Sequence, residues 1–440
     1  MDKPTMMISP LQAGVPAAGG AVDVLVRLRA PERPASMAAQ HLPKRLALVV
    51  DRSGSMSGQP LAEALRCVEH IASHLTPQDA LSLVVYDDKV QVLLPLQPMG
   101  SMDAVRQALA GVDSGGSTDL HAGWLAGAQQ LEGGHEKAVS RVILLSDGQA
   151  NHGVTALDVI DAACRQWLAR GVSTTTVGLG RNFNEDLMIG MARAGGGQNY
   201  YGQTAADLFD SFDEELALLQ AMVLRQIGLR LITAPGVVAE MLSPAVQQAD
   251  GSWRMSDLAW GAESWLAVRL HLSASTSIAD VRDLLAASFV GTGLDGMRIQ
   301  GSSPLMQLPA LDTKALAEMP RDEVVHNRLE ELAFTQAAEE LRRLAAQGDR
   351  VATERALTAL EARFGQHPWL KAKIEQMREL AREDAVMMAK EVRYSMSRMA
   401  SRLVSVEEQA FSDDETDSIA VASFLRKKVS EGKGKTRRVS

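Results

Sequence analysis

The chain has 440 residues, of which 46% are apolar and 22% charged, with a net charge of −9. That is the profile of a soluble globular protein long enough for about two to three domains. Net negative charge speaks against general nucleic-acid binding, which needs a basic surface. No stretch approaches the roughly 18 apolar residues of a membrane span, and the opening MDKPTMMISPLQAGVPAAGG lacks an apolar signal-peptide core. The sequence therefore predicts a cytoplasmic protein. Cys67 and Cys164 both sit in helix-like apolar patterns and predict buried free thiols instead of a disulfide.

Residues 1–20 are rich in Pro, Gly and Ala and predict a flexible N-terminus. Val22, Val24, Val26 and Leu28 alternate as a strand with one buried face, ended by Pro31 and Pro34. The run Leu46–Val50 is continuous and apolar, as in a strand buried on both faces, and it stops at Asp51. Beyond it, Asp51, Ser53 and Ser55 alternate along a loop, with Gly54 permitting a sharp backbone path. Oxygen donors without His or Cys suit Mg²⁺, Mn²⁺ or Ca²⁺ and not zinc.

Elements then alternate as in a parallel sheet with helices on both faces. Leu61–Leu75 has helical spacing. Leu81–Tyr86 and Val90–Leu94 are strands joined by a link too short for a parallel crossover, which predicts an antiparallel pair at the sheet edge. The segment GGSTDL places Thr118 just ahead of a helix over Leu120–Leu131, whose N-terminus favours a bound anion, and Asp119 reads as the cap of that helix. Arg141–Leu145 is a second apolar strand, ending in Ser146, Asp147 and Gly148. Loops at the carboxyl ends of neighbouring parallel strands converge where open α/β sheets bind ligands. Helices over Ala156–Ala169 and Glu185–Ala194 and strands over Thr174–Leu179 and Asn199–Tyr201 complete the pattern, and Phe209–Leu224 reads as a helix leading out.

The pattern Asp51-x-Ser53-x-Ser55, then Thr118, then Asp147 resembles the metal-ion-dependent adhesion site of von Willebrand factor type A domains of the bacterial intracellular type. The resemblance runs from about Lys44 to Asp213 and includes the segments GLGRNFNEDL and AGGGQNYYG. It implies a Rossmann-like, doubly wound α/β fold and a divalent cation, Mg²⁺ first, with Mn²⁺ or Ca²⁺ as substitutes. By the same resemblance Ser53, Ser55 and Thr118 would contact the metal, Asp51 and Asp147 would act mainly through waters, and a partner's Asp or Glu would take the remaining position. It further implies a non-enzymatic scaffold, with AAA+ ATPases or kinase and phosphatase assemblies as partner classes. A metal-dependent hydrolase or phosphatase is the alternative, but no His or Lys presents itself as a base for Ser53 or Ser55, and no D-x-D nucleophile motif accompanies the site.

Short strands over Ile227–Ile232, Trp253–Trp260 and Trp265–Leu272 would join the N-terminal strand in a β-sandwich drawn from both flanks. From Pro320 the pattern changes to long helices: Val324–Ala346, a second to Phe364 after Gly348, and a third from Leu370 to about Leu403 bearing Met387, Met388, Met396 and Met399. The expected organisation is a flexible 1–20, a discontinuous β-sandwich over 21–43 and 222–308, an α/β domain over 44–221, a helical region over 309–410 and a disordered charged tail over 411–440. Only that basic tail is a candidate for nucleic-acid contact.

Overall fold

The structure is a computed structural model and describes residues 3–32, 42–133, 138–179, 184–202, 204–274 and 280–383, with Met388, Val392, Val404 and Ser405. The expected charged tail, Met387, Met396 and Met399, and most of the far half of the third helix lie outside the described residues. The chain divides into two compact units, one drawn from 1–39 and 222–416 and the other centred on 40–221.

The first unit opens with β1 (Thr5–Pro10), β2 (Val15–Pro16) and β3 (Gly20–Arg29). A flexible segment over 1–20 is thus corrected, because β1 pairs antiparallel with β3 from Thr5↔Arg29 to Pro10↔Val24. Met6, Met7 and Ile8 supply apolar strand residues, and the proline at position 10 is tolerated at the end of an edge strand.

The second unit is built in chain order from β4 (Lys44–Asp51), α1 (Gln59–Ser73), β5 (Ala80–Tyr86), β6 (Val90–Pro98), α2 (Met102–Leu109), α3 (Leu120–Gln130) and β7 (Val139–Ser146). It continues through α4 (Leu157–Ala169), β8 (Val172–Leu179), α5 (Glu185–Ala194), β9 (Gly196–Gly202) and α6 (Phe209–Ala221). Its six-stranded sheet has the order β6-β5-β4-β7-β8-β9, parallel except for the edge pair β5–β6. Central strands β4 and β7 are buried along nearly their whole length, as their unbroken apolar runs require. On α3, Gly123 and Gly127 allow close approach to the sheet: a Cβ at Gly123 would lie 2.3 Å from the Tyr86 ring, and one at Gly127 2.3 Å from Val49.

The helix expected through Leu224 ends at Ala221, and β10 (Met222–Thr233) begins there and returns the chain to the first unit. Val223, Leu224 and Ile227 favour a strand, and pairing to β-partners decides the outcome. Gln226 adopts φ 55° where the register shifts between Arg225 and Gly228, the mark of a bulge. There follow β11 (Val237–Met241), β12 (Trp253–Arg254), β13 (Leu258–Ala259), β14 (Ala262–Leu272), β15 (Val281–Thr292), β16 (Arg298–Ser302) and β17 (Met306–Leu311). One sheet has the order β1-β3-β14-β11 and the other β12-β10-β15-β17-β2, so strands from both ends of the chain build the sandwich-like layers.

Helices α7 (Thr313–Glu318), α8 (Glu323–Ala346), α9 (Arg350–Phe364) and α10 (Pro368–Glu383) complete this unit. Val325 and Leu332 of α8 share a core cluster with Leu25 and Ala267 of the first sheet, so composition sets these helices apart while packing joins α8 to the strands. Gly348 at φ 72° makes the turn between α8 and α9, and Phe334 meets Phe364 edge-on at 5.4 Å.

Candidate metal centre

Strand β4 delivers Asp51 to the carboxyl end of the sheet with 0% of its surface exposed. The Ser53 N–H donates to Asp51 Oδ1 at 2.8 Å, a local turn that folds the loop back on its own carboxylate. The Ser53 and Ser55 hydroxyls then lie 3.2 Å apart, Ser53 buried and Ser55 exposed. Met56, wholly buried, pins the short turn Gly54–Met56 beneath them.

Backbone hydrogen bonds tie this loop to the second one. Gly54 N–H donates to Gly116 O at 3.2 Å and Gly115 N–H to Arg52 O at 2.9 Å. Thr118 is 1% exposed, and its N–H donates to Asn151 Oδ1 at 2.8 Å. The Thr118 carbonyl accepts from the N–H groups of Asn151 and His152, at 3.2 and 3.1 Å. The second loop is thereby fastened to the third. Asp119 caps α3 by accepting from Ala122 N–H at 3.0 Å, as its position ahead of a helix predicts.

Strand β7 ends in Ser146, whose hydroxyl donates to Asp51 Oδ2 at 2.6 Å and accepts from Gly148 N–H at 2.7 Å. Asp147 is nearly buried; its Oδ1 accepts from Gln149 N–H at 3.2 Å, and its carbonyl accepts from Asn184 N–H at 2.9 Å. The Tyr86 hydroxyl, from the end of β5, also donates to Asp51 Oδ2, at 3.3 Å. The ends of three adjacent strands therefore meet at one carboxylate.

Burial pushes the Asp51 carboxyl above its ordinary range, hydrogen bonds from Ser146 and Ser53 oppose that, and the negative charge of Asp147 adds to it. Tyr86 is raised well above the ordinary phenol value by burial and by the Asp51 charge. Around Asp51 the side chains that the hydrogen bonds gather offer oxygen atoms only, from Ser53, Ser55, Ser146 and Tyr86, and oxygen donors suit hard divalent cations. The hydrogen bond of the Ser53 hydroxyl is shared with the Ser55 hydroxyl.

Sequence reasoning did not assign roles to Ser146, Tyr86 or Asn151. The first two end apolar strands beside β4, which is a signal of sorts, but Asn151 carries none. It also missed a second cluster, His70, His74 and Asp213, whose ligand atoms lie within 4.8 Å of one another and have the capacity for a divalent ion. The spacing of the two histidines on α1 was visible, while Asp213 belongs to α6, far along the chain.

A mostly parallel α/β sheet with conjoined polar loops at its carboxyl edge defines the class of open-sheet ligand-binding domains. Residues 46–215 match the model of the von Willebrand factor type A domain. Proteins with such a domain are generally non-catalytic protein-interaction modules. The chain is 26% identical over 239 residues to the uncharacterized protein sll0103 of Synechocystis sp., covering 54% of this chain and 55% of that protein. It is 27% identical over 223 residues to the uncharacterized protein YfbK of Escherichia coli, covering 50% of this chain and 37% of that protein. The chain thus spans about half or less of the length of these relatives. Its fold is similar to a solved von Willebrand factor type A protein from Catenulispora acidiphila, with a TM-score of 0.68 at 18% identity over 85% of this chain and 90% of that one. Among the described residues no helix is long and apolar enough to cross a membrane.

Proposed function

We propose that the protein is a non-enzymatic scaffold whose Asp51, Ser53, Ser55, Thr118 and Asp147 hold one Mg²⁺, replaceable by Mn²⁺ or Ca²⁺, that captures an Asp or Glu of a protein partner. The observation that carries this reading is the knitting of three loops around Asp51, through Ser53 N–H, Ser146 Oγ and the Gly54–Gly116 and Thr118–Asn151 bonds. In octahedral coordination with metal–oxygen bonds of about 2.0–2.1 Å, adjacent ligand oxygens lie about 2.9 Å apart. The 3.2 Å between the Ser53 and Ser55 hydroxyls is close to that spacing. A cation here would also offset the repulsion between Asp147 and Asp51 that now helps raise the Asp51 pKa.

Hydroxyl ligands leave much of the charge of Mg²⁺ uncompensated, and an incoming carboxylate supplies what is missing. The N-terminus of α3, beside Thr118, adds a favourable dipole for that anion. AAA+ ATPases and kinase or phosphatase assemblies remain the partner classes suggested by the family resemblance, with helices α8–α10 as a second docking surface. The test is affinity capture and mass spectrometry with Mg²⁺ and with EDTA, run beside Asp51→Ala. Partners retained equally in all three would reject a metal-bridged carboxylate.

A further inference from the structure

His70 lies in the last turn of α1 and His74 is its C-cap, so the two imidazoles stand one helical turn apart at the end of that helix. Asp213 reaches them from α6: its Oδ1 lies 2.8 Å from His70 Nε2 and 3.7 Å from His74 Nε2. We propose that His70, His74 and Asp213 form a site for one first-row transition-metal ion of the Zn²⁺ type, fastening the last helix of the von Willebrand factor type A domain to its first.

The ligand chemistry differs from that of the oxygen-lined loops. Imidazole nitrogens select Zn²⁺ and its neighbours over Mg²⁺ and Ca²⁺. Tetrahedral zinc with bonds of about 2.0–2.2 Å places adjacent ligand atoms about 3.3 Å apart, and the two separations from Asp213 Oδ1 straddle that value. Two His and one Asp leave a fourth position for water or an incoming group.

The rings are also held as ligands are held. His74 Nδ1 lies 2.9 Å from the His70 carbonyl, a geometry in which Nδ1–H donates and the Nε2 lone pair is left toward Asp213. The His70 ring stacks on Phe209, at 4.1 Å and 7° between planes, so the helix that supplies Asp213 also orients the imidazole it faces. A cation at the C-terminal end of α1 is favoured by the helix dipole. Asp213 Oδ1 thus has two imidazole Nε2 atoms within 4 Å, where a simple ion pair needs one.

This cluster is distinct from the loops around Asp51. Helix α1 starts just after those loops, and its 15 residues span about 22 Å at 1.5 Å each, so the histidines lie at its opposite end. Because α6 runs directly into β10, a metal between α1 and α6 would fix the point from which the chain leaves the domain.

The test uses the untagged full-length chain, stripped with chelator and titrated with Zn²⁺ in a large excess of Mg²⁺, with bound metal counted by native mass spectrometry. One zinc per chain is expected, with affinity more than about tenfold weaker in His70→Gln, His74→Gln and Asp213→Asn. Zinc should raise the thermal midpoint of the wild-type chain and not that of His74→Gln, and Ser53→Ala should bind zinc as the wild type does. His74 is half-exposed, so its substitution leaves the fold intact, which circular dichroism checks. No zinc bound, equal affinity in the His74 and Asp213 variants, or loss confined to Ser53→Ala would each overturn the proposal.

Discussion

Ser146 donates its hydroxyl hydrogen to Asp51 Oδ2 at 2.6 Å, joining the last residues of two neighbouring parallel strands. The Ser146 hydroxyl oxygen itself accepts from Gly148 N–H at 2.7 Å, so one small side chain sets both the orientation of Asp51 and the turn that carries Asp147. On the proposed reading of the site, Ser146 would act through the Asp51 carboxylate by fixing its orientation.

Ser146→Ala should weaken divalent-metal binding by about 10–100-fold without abolishing it. It should also lower folding stability by about 1–3 kcal/mol, because the buried Gly148 N–H loses its acceptor. Calorimetric titration with Mn²⁺ and urea unfolding measure the two effects. Wild-type metal affinity in this variant would remove Ser146 from the site.

Metal-free protein should show a pH dependence traceable to Asp51, whose folded-state pKa is raised chiefly by burial. Between the ordinary carboxylate pKa and this raised value the folded state binds more protons than the unfolded one. Stability from this group is therefore greatest at low pH and falls as pH rises through that window. Subtracting the pH–stability curve of Asp51→Asn from that of the wild type should isolate the falling component, and saturating Mg²⁺ should flatten it. A difference curve that rises with pH would contradict the burial argument.

Local punctuation made the element ends around the candidate site legible in the sequence: an apolar run ending at Asp51, another ending at Ser146-Asp147, and a helix start at Thr118-Asp119. Each is a strand or helix signal within a few residues. Tyr86 and Asn151 were illegible as partners because their bonds to Asp51 and Thr118 close over sequence separations of 35 and 33 residues. The same limit hid Asp213, which meets His70 across 143 residues. In the fold, β15 was missed because its Ala, Ser and Gly residues lack a strand composition, and its ladders with β10, β16 and β17 make it a strand. Pro and Gly near the N-terminus suggested a loose segment, yet β1 is fixed by its partner β3.

Asp119 distinguishes a cap from a ligand. Asp119→Ala should cost about 1 kcal/mol of stability through loss of the bond from Ala122 N–H. Metal affinity should fall far less than in Asp51→Ala. If Asp119→Ala abolishes Mn²⁺ binding while its unfolding midpoint stays at the wild-type value, the assignment as a cap is wrong.

Gly123 couples α3 packing to the site, because the space a Cβ would need is taken by the Tyr86 ring, 2.3 Å away. Gly123→Ala should destabilise the fold by about 1–3 kcal/mol through overpacking. Since Tyr86 donates to Asp51, the variant should also weaken metal binding, whereas Gly127→Ala, directed at Val49, should lower stability with a smaller effect on binding. Equal binding losses in the two variants would show that helix displacement alone, and not the tyrosine, transmits the change.

Glu215 of α6 is 1% exposed and accepts from Arg141 of β7, from Thr175 Oγ1 at 2.9 Å and, through its other oxygen, from Tyr200 OH at 2.9 Å. Arg141, 2% exposed, also donates from Nε to Ser173 Oγ at 2.9 Å, so the two buried charges are paired and further hydrogen-bonded. Removing one partner leaves the other as an uncompensated charge in the interior. Glu215→Ala should therefore cost about 3–5 kcal/mol, whereas replacing both members by apolar residues of similar volume, Arg141→Met with Glu215→Leu, should recover much of that loss. Urea denaturation of the single and double variants gives the comparison. A double variant as unstable as the sum of the singles would mean that the pair holds α6 by hydrogen-bond geometry that apolar packing does not replace.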